Sequence, residues 1–459
     1  MLKKSQVKLD NIMSKLVYFA TRIRVVGRLS LFMLINLGNA VTCIAQESHV
    51  QKVNDAIESR HYEDISKLTK ANLEKYGISS EVWVTQIYQG IIAGDNEGIS
   101  RYGGKTDGFL KIEPAKFGVL RGFTLETQYE HYFGLDVNRQ DDALLAVNTA
   151  QAYLREGGYH SALSLVASQK IDENLSISVG KFNLLTMASK TPLIGGGGLN
   201  TFMNRAFALP STGVAYTSAM GGPGDRVVLS PPYSLGGQVE LKYEPYEFDF
   251  YLVDPRSAQS PRVIQRPFEV GVAFGAGVKV NSKMLDLNGS HTFRGAYSNA
   301  NGINLSSVNE FNGNIRSING SMTKNGYYFA SYLMTQNIYQ STVDPEKSWG
   351  LFALYTISDG NPTPIKWSMF SGLAGNNLML SREEDRWGIG FYHFGVSQQL
   401  LTSLQQINDP RRSESGVEAF YNIALNRFSY LSADLQIISP WVANRPIETI
   451  SAIRMQSRF

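Results

Sequence analysis

An alternation of apolar and polar residues constrains this chain more than any other feature. It recurs in short segments and runs to the last residue. Phe123 to Tyr129 alternates, with Glu126, Gln128 and Glu130 on the second face. Gln238 to Tyr243, Glu247 to Leu252, Val417 to Ile423 and Leu431 to Ile437 do the same, and Phe268 to Gly275 alternates large with small. A period of two is the mark of a strand with two unlike faces. In a soluble sandwich the apolar face becomes a core; in a membrane barrel it meets lipid, and the polar face lines water. Charges in mid-strand (Glu126, Glu240, Lys242, Asp249, Glu418, Asp434) fit a wet interior. Tyr129, Tyr243, Trp349, Tyr355, Trp367 and Trp387 stand at the ends of apolar faces, where rings favour the lipid–water boundary. Beyond the first fifty residues there is no apolar window of ~18 residues, the length a spanning helix needs. Ile453 to Phe459 alternates to a terminal aromatic, as the last strand of such a barrel would.

The N-terminus reads as an export leader. Lys3, Lys4, Lys8, Lys15, Arg22, Arg24 and Arg28 precede an apolar run from Leu29 to Val41, which Asn36 and Asn39 interrupt. Small residues then lead to Ala45, where we expect the cut. Removing residues 1–45 takes seven basic residues and one acidic one, Asp10, so the net charge of +3 becomes −3. The basic balance belongs to the leader, and no nucleic-acid partner is implied. The single Cys43 leaves with it, which excludes disulfides, zinc–thiolate sites and cysteine nucleophiles in the mature chain.

We therefore expect an all-β fold: a transmembrane antiparallel β-barrel of about sixteen strands, by the rule that a spanning strand takes ~10 residues plus its turns. The expected organisation is a signal peptide over 1–45, a short periplasmic helical segment over 46–78 and the barrel over 79–459. Val53, Ile57, Tyr62, Ile65 and Leu68 recur near helical spacing, and Gly77 stands where that helix would stop. The strand-like segments number slightly more than sixteen; two of them lie at 302–311 and 314–323.

Several stretches resemble the carbohydrate-selective porins of the OprB type. They are Asp385 to Tyr392 (DRWGIGFY), Gly395-Val396-Ser397, Ser415 to Ala424 and Ala433 to Gln436, with Tyr102 to Asp107, Lys116-Phe117-Gly118 and Ser178 to Asn183 upstream. The resemblance spans nearly all of residues 80–459. Asn183 departs from it, since the family pattern has Asp there. The resemblance implies a sixteen-strand barrel in the bacterial outer membrane, diffusion of sugars without energy coupling, and an N-terminal helical segment at the periplasmic end. It also implies outer-membrane lipid and lipopolysaccharide as surroundings, and recognition by the barrel-assembly machinery through the C-terminal strand. Oligomeric state stays open, a homo-oligomer included.

The longest segment without alternation lies between Phe182 and Gln238, and its glycine run, Gly195 to Gly198, would allow a sharp inward bend. We expect Leu199 to Phe207 to enter the lumen, with Asn204 and Arg205 as its polar contacts. From the strands, the expected pore-lining residues are Glu126, Gln128, Glu240, Lys242, Asp249, Glu418, Asp434, Gln436, Arg454 and Arg458, since sugar hydroxyls need donors and acceptors on both sides. No cofactor, metal or catalytic residue is expected. His49, His61, His131, His160, His291 and His393 stand in no nucleophile motif, and His160 and Ser161 are strand neighbours pointing to opposite faces. That argues against an outer-membrane phospholipase. A general or anion-preferring pore remains the alternative, with the near-balanced charge mildly against it.

Overall fold

A computed structural model of the chain describes residues 70–138, 140–152, 160–183, 191–195, 197–208, 233–256, 267–311, 318–376 and 382–459. The expected leader, and the expected helical segment up to residue 69, lie outside them. Residues 70–75 are helical, and Gly77 follows with φ +66°.

The strands in chain order are β1 (Ile78–Ala93), β2 (Ser100–Ile112), β3 (Phe123–Gly134), β4 (His160–Lys170), β5 (Leu175–Asn183), β6 (Tyr233–Tyr243), β7 (Tyr246–Val253), β8 (Ala273–Met284) and β9 (Leu287–Ile303). There follow β10 (Val308–Glu310), β11 (Asn319–Gly320), β12 (Thr323–Gln340), β13 (Ser348–Ser358), β14 (Ile365–Asn376), β15 (Arg386–Val396), β16 (Glu414–Asn426), β17 (Ser429–Ser439) and β18 (Glu448–Arg458). All but β10 and β11 pair with their neighbours into a closed sixteen-strand antiparallel barrel. β1 and β18 close it, in register from Trp83 opposite Arg458 to Ile91 opposite Ile450, with a bulge before Ala93 opposite Thr449. Closure gives every strand two partners, so the backbone leaves no unpaired edge in lipid. β10 and β11 form a separate small hairpin in the connection between β9 and β12. They account for the two surplus strand-like segments: both are extended, but they pair with each other and not with the barrel.

The two rims differ. One is closed by short turns such as Glu244-Pro245, Leu285-Asp286 and Arg427-Phe428, and both ends of the barrel sheet, Ile78 and Arg458, lie on it. Leu285 and Asp286 take φ of 52° and 63°, the left-handed pair that a two-residue hairpin turn requires. The other rim carries the long connections, including those after β3, β5, β7, β9 and β15. The last of these holds the helix α2 (Gln398–Gln406), numbered after a single helical turn, α1 (Arg205–Ala208), in the connection after β5.

The outward face is apolar and exposed. Val417, Leu435, Ile437, Ile453 and Met455 are all 38–45% accessible, with no protein packed over them. Rings gather near both rims on this face. Trp349 lies 5.7 Å from Trp387 and 6.5 Å from Tyr339 near the turn rim, while Tyr355 lies 6.1 Å from Trp367 near the loop rim. Such belts mark the two interfaces of a membrane. No described helix is long and apolar enough to cross a membrane.

Candidate functional site

The described part of the connection after β5, residues 191–195 and 197–208, lies inside the barrel. Gly195, Gly197 and Gly198 have φ of 65°, 75° and 71°, values costly for any residue with a Cβ, and they turn the chain inward. Beyond the turn, Phe202, Met203, Asn204, Arg205, Ala206 and Phe207 are all buried. The rings of Phe202 and Phe207 stack at 4.4 Å. They pack edge-on against rings that face inward from the wall: Phe420 at 4.9 Å and Phe352 at 5.7 Å from Phe202, and Tyr392 at 5.8 Å from Phe207. The wall makes room for them at two glycines. A Cβ on Gly388 would lie 2.7 Å from the Phe202 ring, and one on Gly390 would lie 2.7 Å from the Phe207 ring.

Polar anchors surround this aromatic contact. The Glu418 carboxylate accepts hydrogen bonds from the backbone N–H groups of Met203 and Asn204, the latter at 3.0 Å. The Asn204 amide donates to Gln436 Oε1 at 3.1 Å, and Gln436 donates to Asp434 at 3.1 Å. Arg454 donates to the carbonyls of Gly198 at 2.6 Å and Thr201 at 2.9 Å. The bonds from Glu418 and Arg454 satisfy backbone groups that have no strand partner, which a chain folded into a lumen must otherwise leave bare.

The connection after β3 is also inside, a feature that alternation did not reveal. Val137, Leu144, Leu145 and Val147 are buried, the first and last packed with Ile91, Ile438 and Ile450 of the wall. Thr149 N–H donates to Met203 O at 2.8 Å and Arg205 N–H to Ala146 O at 2.9 Å, so the two connections hold each other. Glu414 accepts from Leu144 N–H at 2.6 Å, and Gln436 donates to Val147 O at 2.9 Å. Burial, then the nearby Glu448 carboxylate, pushes the Asp141 carboxyl in this connection well above its ordinary range. Near the loop rim, α2 and the β9–β12 connection add Leu400, Leu404, Leu305 and Val308 to the same inward apolar cluster.

The sequence-predicted residues therefore separate into groups. Asn204, Arg205, Glu418, Asp434, Gln436 and Arg454 meet at one junction between loop and wall, where none is more than 6% accessible. They hold the loop in place and present little surface to water. Gln128 is buried as well, within a network on β2, β3 and β5: it donates to Asp107 at 2.9 Å and accepts from Asn183 at 3.0 Å, while Lys105 pairs with Asp107 at 3.0 Å and with Glu130. Arg458 sits at the turn rim, paired with Glu81. Glu126 is exposed near the turn-rim end of β3, and Glu240, Lys242 and Asp249 lie on the opposite arc, part-exposed or exposed.

That arc carries more than the sequence reading named. Inward positions of β7, β8 and β9 hold ion pairs between Lys279 and Glu247 at 2.9 Å, with side chains 31% and 29% accessible, and between Arg294 and Asp249 at 2.6 Å, 15% and 16% accessible. Ser176 and Gln238 donate to Glu240 at 3.2 and 3.3 Å. Lys279 and Arg294 keep the same period of two as their neighbours, so extending the alternation through β8 and β9 would have found them. Among the described residues no three His, Cys, Asp or Glu side chains are grouped so as to hold a metal.

Comparison with known proteins agrees with this geometry. The model of the carbohydrate-selective porin OprB family matches residues 100–452. No curated protein matches the chain in sequence. The high-pH structure of Pseudomonas putida OprB is similar with a TM-score of 0.68 and 15% identity, over 85% of this chain and 96% of that one. Acinetobacter baumannii OccAB3 is similar with a TM-score of 0.44 and 12% identity, over 83% of this chain and 99% of that one. The first of these likenesses shows the fold, a porin barrel. The family match covers most of the chain, and the chain belongs to the OprB family of carbohydrate-selective porins.

Proposed function

We propose that this outer-membrane barrel passes carbohydrates passively, and that they cross between the in-folded loops and the polar arc formed by β6 to β9. The observation that carries this reading is the one-sided packing of the loops. They are anchored on β1 and β13 to β18, while Glu240, Lys242, Glu247, Asp249, Lys279 and Arg294 keep accessible surface inside the barrel. Alternating donors and acceptors suit a solute with many hydroxyls and no charge. In this reading the segment from Gly195 to Phe207 sets the constriction. The chain works as a channel, not as an enzyme.

Three further assignments go with the reading. Residues 1–45 are a leader cut after Ala45 and residues 46–78 a periplasmic segment. The terminal strand with its exposed Phe459 serves recognition during barrel assembly, where a hydrophobic strand end is what a partner would grip. The barrel associates with its own copies to the extent that its outward face is self-complementary.

Deleting Leu199 to Phe207 tests the central claim. The barrel folds without this segment, because its ladder runs between strands. Single-channel conductance rises, and block of the current by sugars weakens. A folded deletion with unchanged conductance and sugar block would place the constriction elsewhere. Reversal potential in a salt gradient separates this reading from an anion-preferring pore.

A further inference from the structure

Near the turn rim the lumen widens into a cavity of about 710 Å³ between the loop segment Thr191 to Leu193 and the strands β8, β9 and β12 to β15. That is within the ~300–1,000 Å³ of ordinary ligand pockets. Asn281, Asn288, Asn337 and Asn376 line it with Ser290, no aromatic side chain does, and its charged members are Lys279, Lys283 and Arg386 against Glu244 and Glu346.

Arg386 is the unusual member. It faces inward, opposite Asn376 on β14 and Asn422 on β16. Its Nη2 donates to Leu193 O at 3.4 Å, a long bond, and its Nε is buried with no partner. Among the described residues it has no ion pair. Lys279, also on the lining, is already matched by Glu247. A guanidinium withdrawn from bulk water without a counter-charge is costly. An anion entering the cavity would offset that cost, and the planar guanidinium matches a carboxylate with two parallel hydrogen bonds. The amides on neighbouring strands supply both donors and acceptors, as hydroxyls require. With no ring face among the lining residues, an aromatic acid would find no stacking partner there.

We infer that this cavity is a subsite for a monosaccharide bearing a carboxylate, with Arg386 taking the carboxylate and Asn281, Asn337 and Asn376 taking hydroxyls. The inference rests on the reading that sugars traverse this lumen. It places a preference for acidic sugars near the turn rim, beside the start of the in-folded segment.

The test is block of single-channel current in planar bilayers by glucuronate and by glucose, using the full-length porin. Wild-type protein reaches half-block with glucuronate at a concentration at least tenfold below that for glucose. Arg386→Gln brings half-block by glucuronate to the concentration at which glucose half-blocks the same variant, and Arg386→Lys, which keeps the charge but not the fork, falls between. Asn376→Asp supplies a carboxylate at the residue paired with Arg386, and it abolishes the glucuronate preference without removing the guanidinium. The inference is overturned if glucuronate blocks wild type no better than glucose, or if its block survives both Arg386→Gln and Asn376→Asp. If glucose blocks wild type and glucuronate does not, the subsite alone falls. If neither sugar blocks, the passage of sugars falls with it.

Discussion

Arg454, on the strand that closes the barrel, reaches into the lumen and donates to the carbonyl of Gly198 at 2.6 Å. A second bond to Thr201 O at 2.9 Å makes this one side chain a clamp on the start of the in-folded segment. The Glu418 carboxylate grips the same segment two residues further on, through Met203 and Asn204. A guanidinium and a carboxyl group thus hold opposite polarities of one short backbone stretch, the carbonyls on one side and the N–H groups on the other.

Replacing Arg454 by Met keeps much of the side chain's bulk and removes both bonds. Charge-assisted hydrogen bonds contribute ~1.5–3 kcal/mol each, so the closed loop loses roughly that much or more. The barrel keeps its heat resistance, because no strand pairing involves the guanidinium. Conductance becomes noisier and higher on average in single-channel recordings. An Arg454→Met channel as quiet and as narrow as wild type would show that the aromatic contact alone holds the loop.

The aromatic contact has its own test at Gly390. A Val there drives its side chain into the ring of Phe207, whose Cε1 lies 2.7 Å from the position of the added Cβ. Overpacking of this kind costs ~1–3 kcal/mol. The loop is the softer partner and yields first. Gly390→Val therefore raises conductance, and adding Phe207→Ala to it restores fit at that point, so the two changes are non-additive. Strictly additive effects on conductance would separate Gly390 from the loop.

Thiol labelling distinguishes the wet arc from the loop junction. The chain's single cysteine, Cys43, precedes the barrel, so with Cys43 replaced by Ser single Cys residues in the barrel report cleanly. Cys at 240 or 242 reacts with a water-soluble reagent in detergent-free membranes, while Cys at 239 or 241, on the lipid face, does not. Alternation alone would give Cys at 418 and 434 the same reactivity as Cys at 240. Glu418 and Asp434 are only 0% and 6% accessible beneath the loop, so these positions label slowly, and deletion of Leu199 to Phe207 makes them fast. Fast labelling at 418 in the intact protein would contradict the loop position.

What was legible follows from which contacts are local. Alternation in β3, β6, β7, β16 and β17 identified the strands and their inward faces, because a pleated strand imposes its period whatever surrounds it. The glycine run announced the inward turn for the same reason: positive φ at Gly195, Gly197 and Gly198 is a local demand. Depth of burial was not legible. Glu418 and Glu240 look alike in sequence, and only the loop arriving from more than two hundred residues away covers one and leaves the other wet. The inward phenylalanines Phe352, Phe370 and Phe420 carried a weak signal, apolar residues on the face that should be polar. Without knowing what packs on them they read as irregular strand. The loop after β3 gave no pattern at all, since it is held by backbone bonds to Met203 O, Glu414 and Gln436.

The last prediction concerns Asp385, at the turn rim just before β15. Its carboxylate accepts from Arg382 Nε at 2.6 Å and Nη2 at 2.9 Å, from Tyr421 OH at 2.9 Å and from Ala424 N–H at 2.9 Å. Burial alone would raise its pKa, but these donors more than offset that and hold it below the ordinary carboxylate range. A depressed folded-state pKa means that the ionised form stabilises the fold. That contribution is complete above the unfolded value of ~3.9 and fades as pH falls through the lower folded value. Arg382 is 41% accessible, so solvent screens much of its share, and the bonds from Tyr421 and Ala424 carry most of the effect. Asp385→Asn keeps one acceptor and loses the charge, which destabilises the β15–β16 end of the barrel by about 2 kcal/mol at neutral pH. The temperature at which the barrel unfolds in detergent then lies below wild type at pH 7, by an amount that stays constant down to about pH 4 and shrinks in more acidic buffer. A gap that persisted undiminished well below pH 3 would mean that shape and not charge at position 385 supports the turn.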